Sequence, residues 1–257
     1  MEYKDQLKKL YQDPILYEQE YASLNSDVDF WVDYILKNNI CSVLELGCGS
    51  GRIGLKLIPH LDAYAGIDLS DEFLSRFLMQ VKMCDIPKVK ISKCDMTDFS
   101  LGKKFDLIIL PFNTISHLYS LEQLKGMLSC VRKHMRQNSL FIIDCFNPNM
   151  VFLATHSERV LCNEFVMAET GEQVSVYETN TYFSDKQVNY IKRIYVNHTQ
   201  KTELELDLPM RMYYPQELDA LLQLNGFSIA KKYGNYFESV FDSNSQKQIV
   251  ITALPKS

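Results

Sequence analysis

The stretch Val43-Leu44-Glu45-Leu46-Gly47-Cys48-Gly49-Ser50-Gly51-Arg52 decides the fold. An apolar run closing on an acid gives way to a glycine-rich turn, and then to an apolar-periodic segment over 53–58. That order reads as strand, tight turn, helix. Glycine suits such a turn for two reasons. It takes positive φ without steric cost, and its missing side chain lets backbone approach a ligand closely. The spacing Gly47-x-Gly49-x-Gly51 is not G-x-G-x-x-G, which disfavours nicotinamide and flavin cofactors. A P-loop pattern is also missing from the sequence.

At these residues the chain resembles the class I S-adenosylmethionine (SAM)-dependent methyltransferases, whose first motif is an acid on strand one followed by G-x-G-x-G. The resemblance implies cofactor contacts from Glu45, Gly47, Cys48, Gly49 and Gly51. Further along, a short strand in Ala65-Gly66-Ile67-Asp68-Leu69-Ser70 ends in Asp68, roughly 20 residues past the turn, where a doubly wound fold puts the acid that accepts from ribose hydroxyls. A carboxylate suits that task because it accepts and does not donate. The competing reading makes Asp68 part of a helix start at Ser70, with Asp71 and Glu72 behind it. Leu69 joins Asp68 in the expected cofactor set.

In the family an acid and the next residue after strand three hold the adenine, and Asp95 and Met96 match. The plainer alternative is a polar turn. Strand four, within 105–110, runs into Pro111-Phe112-Asn113-Thr114-Ile115-Ser116-His117-Leu118, the loop where the sulfonium is expected; Pro111 and Asn113 therefore enter the cofactor set. The segments 94–105, 114–118 and 211–218 look like the small-molecule branch that includes aminosugar N,N-dimethyltransferases. Amide N-methyltransferases acting on DNA or protein usually carry [DNS]-P-P-[YFW] after strand four, where this chain has Leu110-Pro111-Phe112-Asn113.

The alternation of strands and helices over 40–146 reads as a parallel sheet covered on both faces. The expected class is α/β: a Rossmann-like, doubly wound, seven-stranded sheet with an antiparallel β insertion between strand five and the last helix. Strand five is expected at 139–145, and Ser120-Leu121-Glu122-Gln123 fits a capping box at the start of helix four. From about 147 to 212 the period becomes two. Thr202-Glu203-Leu204-Glu205-Leu206-Asp207-Leu208 alternates without a break, and 174–183 and 188–196 read as further strands joined by a turn at 184–187. The last helix should start at Pro215 and stop at Asn225-Gly226, with strands following at 227–233 and 248–254. The expected divisions are a helical lid over 1–38, a SAM-binding domain from 39–146 and 213–257, and an insertion over 147–212 covering the acceptor site, with a homodimer contact as its second use.

Composition sets outer bounds. The 257 residues carry 27 basic and 32 acidic side chains, net −5, which gives no broad footprint for nucleic acid. No apolar run approaches the roughly 20 residues of a membrane span. Seven cysteines without C-x-x-C pairs, and no secretory signal at the start, suit a reducing, cytoplasmic compartment. No His, Asp or Glu pair has metal-site spacing.

The partner implied is a small-molecule acceptor, with nitrogen favoured; a hydroxyl or carboxylate oxygen, or a non-catalytic SAM-binding module, are the alternatives. His117 is the candidate base or orienting group, because an ordinary imidazole titrates near pH 7; a packed histidine is the alternative. Tyr17 and Tyr21, four apart on a helix face, are candidates for contacting the methionyl end or the acceptor, or else simply pack the helix. Arg52 suits an anionic group or the surface. The acids Glu203, Glu205 and Asp207 either attract a cationic acceptor or form the solvated side of the insertion sheet.

Overall fold

A computed structural model describes residues 9–83, 89–155 and 158–255. Its contacts divide the chain into two compact units. Asn25–Pro148 and Tyr213–Ser257 make one, and Met1–Leu24 and Asn149–Met212 make the other.

The first unit is built on a seven-stranded sheet. Its strands are β1 (Ser42–Leu46), β2 (Ala63–Asp68), β3 (Val89–Lys93), β4 (Phe105–Leu110), β5 (Met135–Phe146), β10 (Ser228–Tyr233) and β11 (Lys247–Ala253), in the order β10-β11-β5-β4-β1-β2-β3. The central pairs β4–β1 and β1–β2 are parallel. The β11 strand is antiparallel to both β5 and β10. This is the Rossmann-like sheet expected from the βα rhythm. All five β1 residues are buried, as a strand covered on both faces requires.

Period-two alternation sorts the side chains. Leu44, Leu46, Ile108 and Leu110 enter one core with Leu124, Met127 and Leu128 of the helix α5 (Leu121–Lys133). Val43, Leu107 and Ile109 enter the opposite core with Phe77 of α4 (Asp71–Met83) and Trp31 of α2 (Ser26–Lys37). Ser120 and Gln123 close the capping box read from the sequence. The last helix, α7, spans Pro215–Leu224 and is followed by Gly226 at φ +81°.

Three expectations are revised. The segment 53–58 forms a single turn, α3 (Gly54–Leu57), followed by a 3-10 turn at Ile58–His60; Pro59 removes a donor and ends the α-helix. The strand β5 begins four residues earlier than expected, at Met135. The N-terminal stretch 1–38 is not one element. Its second half, α2, places Val28, Trp31 and Ile35 on one face in the sheet core, and only 1–24 groups with the insertion. Trp31 is completely buried. Truncating such a ring costs about 3–5 kcal/mol, which ties α2 to the sheet.

The second unit is a four-stranded antiparallel sheet in sequence order, β6 (Val160–Val166), β7 (Gln173–Phe183), β8 (Val188–Asn197) and β9 (Thr202–Arg211), with α1 (Pro14–Glu20) and a single-turn helix α6 (Met150–Ala154). The sequence reading missed β6 and α6. The β6 strand is largely exposed and carries no clean alternation. Leu206 and Leu208 of the alternating stretch join Val174, Val176 and Tyr195 in a small core that also takes Leu10 and Leu16; Leu204 stays exposed.

Candidate active site

Three glycines shape the turn after β1, with φ of +70° at Gly47, +53° at Gly49 and +92° at Gly51. Their reasons differ. A Cβ on Gly47 would stand 2.5 Å from Thr114 Cγ2, and one on Gly51 would overlap the Phe77 ring. A Cβ on Gly49 would meet only Phe77's neighbour on α4, Phe73, at an ordinary 3.5 Å. Where a Cβ would stand at Gly47 and Gly51, protein side chains already occupy the space. Gly49 is the one whose surroundings leave room. The amides of Gly47 and Cys48 donate to the Ile67 carbonyl at 2.8 and 3.0 Å, pinning the turn to the end of β2.

Asp68 ends β2 and fastens the same turn. Its Oδ2 accepts from the Gly49 amide at 2.9 Å, and its Oδ1 from the Ser70 amide at 3.0 Å. Burial raises its pKa, and the backbone N–H bonds oppose that rise. The helix-start role and the turn-facing role thus coexist in one carboxylate. Leu69 beside it is 52% exposed, an apolar side chain standing open next to a half-buried acid. Asp95 closes a turn: its Oδ1 accepts from the Thr97 amide at 2.9 Å and the Thr97 hydroxyl at 2.7 Å. Met96, next to it, is partly buried against the sheet core.

Glu45 lies beneath the turn. It is 2% exposed and accepts from the Tyr64 hydroxyl at 2.6 Å. Burial pushes its pKa up to about 8, so it is mostly protonated at neutral pH. Burial also raises the Cys48 thiol well above its usual range, which makes it unreactive.

The loop after β4 is held by residues that sequence reasoning passed over. Phe112 and Asn113 are consecutive non-glycine residues at φ +53° and +62°. Asp144, fully buried at the end of β5, accepts from the Phe112 amide at 3.0 Å and the Tyr236 hydroxyl at 2.7 Å. Lys247 Nζ stands 3.0 Å from the other Asp144 oxygen. Arg52 lies 4.5 Å above the Phe112 ring and forms a two-pronged pair with the buried Asp27. Asp144 had a usable signal, since Phe141-Ile142-Ile143-Asp144 repeats the pattern of a buried strand ending in an acid, as at Asp68. Lys247 and Tyr236 had none, being about a hundred positions away.

His117 closes the 3-10 turn Thr114–His117 just beyond this loop. Desolvation lowers its pKa to about 4. An imidazole so lowered is a weaker base near pH 7 than an ordinary one. His117 is neutral there and is suited to accepting a hydrogen bond rather than to removing a proton from a weak acid.

Tyr17 and Tyr21 belong to the other unit. Their rings lie 4.7 Å apart, and the Tyr21 hydroxyl accepts from Arg193 of β8. Arg193 also pairs with the buried Glu20 and, at 3.2 Å, with Glu178. Two acids of β9 are matched by cations, Glu203 with Arg159 and Glu205 with Lys192, both at 2.9 Å. Among the described residues no group of three or more His, Cys, Asp or Glu side chains is placed to hold a metal ion. No helix among them is long and apolar enough to cross a membrane.

Residues 43–138, from β1 into the start of β5, match the family described as "Methyltransferase domain". Over that span the chain is similar to methyltransferase domains. Its glycine turn and Asp68 lie inside the matched span. A curated relative, a dTDP-3-amino-3,4,6-trideoxy-alpha-D-glucopyranose N,N-dimethyltransferase of Streptomyces venezuelae, is 23% identical over 103 residues, covering 40% of this chain and 41% of the relative. A second, a dTDP-4-amino-2,3,4,6-tetradeoxy-D-glucose N,N-dimethyltransferase of Saccharopolyspora spinosa, is 26% identical over 128 residues, 47% of this chain and 49% of its own length. These matches thus span less than half of the relatives. Among solved structures, a SAM-dependent methyltransferase from Clostridium acetobutylicum superposes with a TM-score of 0.79 at 17% identity, covering 94% of this chain and 97% of the other. At that identity the likeness concerns the fold, and it extends beyond residues 43–138 to nearly the whole chain.

Proposed function

We propose that this chain transfers a methyl group from SAM to a nitrogen of a small-molecule amine, with aminosugars the first class to test. The observation that carries the reading is the joining of the glycine turn to Asp68 by the Gly49 amide, with the loop after β4 closing over Gly47 through Thr114. Three strand ends are thereby gathered at the carboxyl edge of a parallel sheet, where such folds bind ligands. The room at Gly49 and the open Leu69 beside Asp68 fit an adenosyl group.

Bound SAM supplies an electrophilic methyl group on a sulfonium. Asp68 would accept from ribose hydroxyls while keeping its bonds to the turn. Leu69 and Met96 would offer apolar contact to adenine, with Asp95 at its amine. Glu45 and Cys48 support the turn from below, and Pro111 and Asn113 shape the far side. Tyr17 and Tyr21 remain proposed contacts for the methionyl end. The insertion over 147–212 is proposed to confer acceptor specificity.

The pKa of His117 bears on the acceptor. An alcohol needs help losing its proton, and an imidazole held near pKa 4 is a poor base for it. An amine attacks through its own lone pair once neutral, so a neutral His117 that accepts one N–H bond can orient it. The aminosugar suggestion comes from the relatives' substrates.

The test is production of S-adenosylhomocysteine from SAM with a panel of TDP-linked aminosugars, free aminosugars and phenols. The reading expects product with an amine, and a methylated amine by mass spectrometry. Turnover with phenols only would make it an O-methyltransferase. Tight SAM binding without turnover across the panel would support a non-catalytic module.

A further inference from the structure

We propose that Asp144, braced by Lys247 and Tyr236, is a positioning residue for methyl transfer that holds the loop after β4 in its left-handed conformation; this rests on the transferase reading above. Two consecutive left-handed residues are unfavourable, above all at a phenylalanine. Something must over-determine them. Asp144 does so twice: its carboxylate accepts the Phe112 amide at 3.0 Å, and its own carbonyl accepts the Asn113 amide at 3.0 Å.

The bracket behind the carboxylate is complete. Lys247 Nζ is 3.0 Å from Asp144 Oδ1 and 3.4 Å from Asn113 Oδ1. It sits among three rings, 5.1 Å from the centroid of Phe146, 5.2 Å from Tyr236 and 5.8 Å from Phe112. The Tyr236 hydroxyl supplies the third bond to Asp144 at 2.7 Å. The ammonium is thus fixed by charge, by an amide oxygen and by ring faces together.

Sheet stability does not explain this arrangement. The β5–β11 ladder already runs from Lys247↔Phe146 to Ala253↔Leu140 without it. A buried ion pair is weak evidence for stability, because desolvation offsets its attraction. What the bracket does accomplish is local. The loop it holds runs from Phe112, bonded to Asp144, to Thr114, packed over Gly47. A shift of the loop would therefore be felt at the glycine turn and at His117, three residues past Thr114. Misplacement of about 1 Å at such a site costs roughly 100-fold in rate.

The experiment uses the full chain with Asp144→Asn, Lys247→Met, Lys247→Arg and Tyr236→Phe. Three quantities are read: amide exchange at Phe112 by NMR, S-adenosylhomocysteine affinity by calorimetry, and kcat and KM with a TDP-linked 3-amino sugar. Asn at 144 retains the shape but turns one oxygen into a donor facing donors. Phe112 exchange should then rise about 10–100-fold, as expected for losing a hydrogen bond to a charged group. The kcat should fall roughly 100-fold with KM and cofactor affinity within about threefold. Lys247→Arg should recover most of what Lys247→Met loses, and Tyr236→Phe, the variant safest for folding, should show the same pattern at smaller size. Unchanged Phe112 exchange in Asp144→Asn overturns the proposal. So does a kcat loss that Lys247→Arg fails to restore and that follows only the fraction of folded protein. If the unaltered chain turns over no acceptor, the transferase reading fails, and Phe112 exchange still judges the bracket by itself.

Discussion

At Asp68 and Asp95 the half-buried carboxylates are satisfied by nearby backbone amides; in the unit made of 1–24 and 149–212, the buried charge of Glu20 is satisfied by other side chains far away. Asp68 meets the amides of Gly49 and Ser70, 19 and 2 positions off. Asp95 meets Thr97 two positions on. Glu20, in contrast, meets Arg193 and Tyr195, 173 and 175 positions away. The first kind of site depends on backbone geometry, which tolerates few residue types. The second depends on matched partners, and could be exchanged for an apolar set of similar volume.

That contrast predicts how each region breaks. The largest expected loss is at Arg193. Replacing it by Met leaves Glu20 buried with one tyrosine hydroxyl, and breaking a buried pair in this way costs about 3–5 kcal/mol. Urea denaturation and proteolysis within 9–24 measure it. The double variant Glu20→Gln, Arg193→Met should recover much of the loss. If it is as unstable as the single variant, the pair is not an exchangeable set.

The turn should behave differently, with position deciding the cost. Gly51→Ala puts a methyl into the Phe77 ring at positive φ, and Gly47→Ala puts one against Thr114; each should cost about 3 kcal/mol or more. Gly49→Ala meets no close atom and should cost only about 1–2 kcal/mol, from its φ alone. Equal losses at all three positions would contradict the packing roles assigned to Gly47 and Gly51.

Titration separates the groups further. The pKa of Glu45 is raised in the folded chain to about 8, so its contribution to stability is full below about pH 4.5 and is lost as pH rises through 8. Between pH 6 and 7.5 that is about 2 kcal/mol, and Glu45→Gln should flatten the slope. His117 runs the other way. Its folded pKa is lowered to about 4, so stability is intact above 6.5 and falls as pH drops toward 4; His117→Asn should remove that decline. Stability measured by denaturation across pH 4–8 in both variants checks the two signs.

The same contrast explains what could be read from the sequence. The sheet, the turn and Asp68 were legible because positive φ, strand alternation and an acid at a strand end each leave a local mark. The capping box at Ser120 and the stop at Gly226 were legible for that reason as well. The bracket of Asp144, Tyr236 and Lys247 was not, because Lys247 reaches Asp144 through the β5–β11 pairing and Tyr236 from the loop after β10, both about a hundred positions away. The position of His117 was readable, but the desolvation that sets its charge was not. The assignment of 1–38 to a single lid failed because helical periodicity says which face is apolar, not which core receives it; Trp31 entered the sheet.

The most direct measurement is calorimetric titration of the chain and its Asp68→Ala variant with SAM, S-adenosylhomocysteine and NAD. The account predicts that SAM and S-adenosylhomocysteine bind the unaltered chain and NAD does not. Affinity should drop about 10–100-fold in Asp68→Ala, the range for hydrogen bonds to a charged group. Heat with NAD and none with SAM, or a SAM affinity untouched by Asp68→Ala, would contradict it.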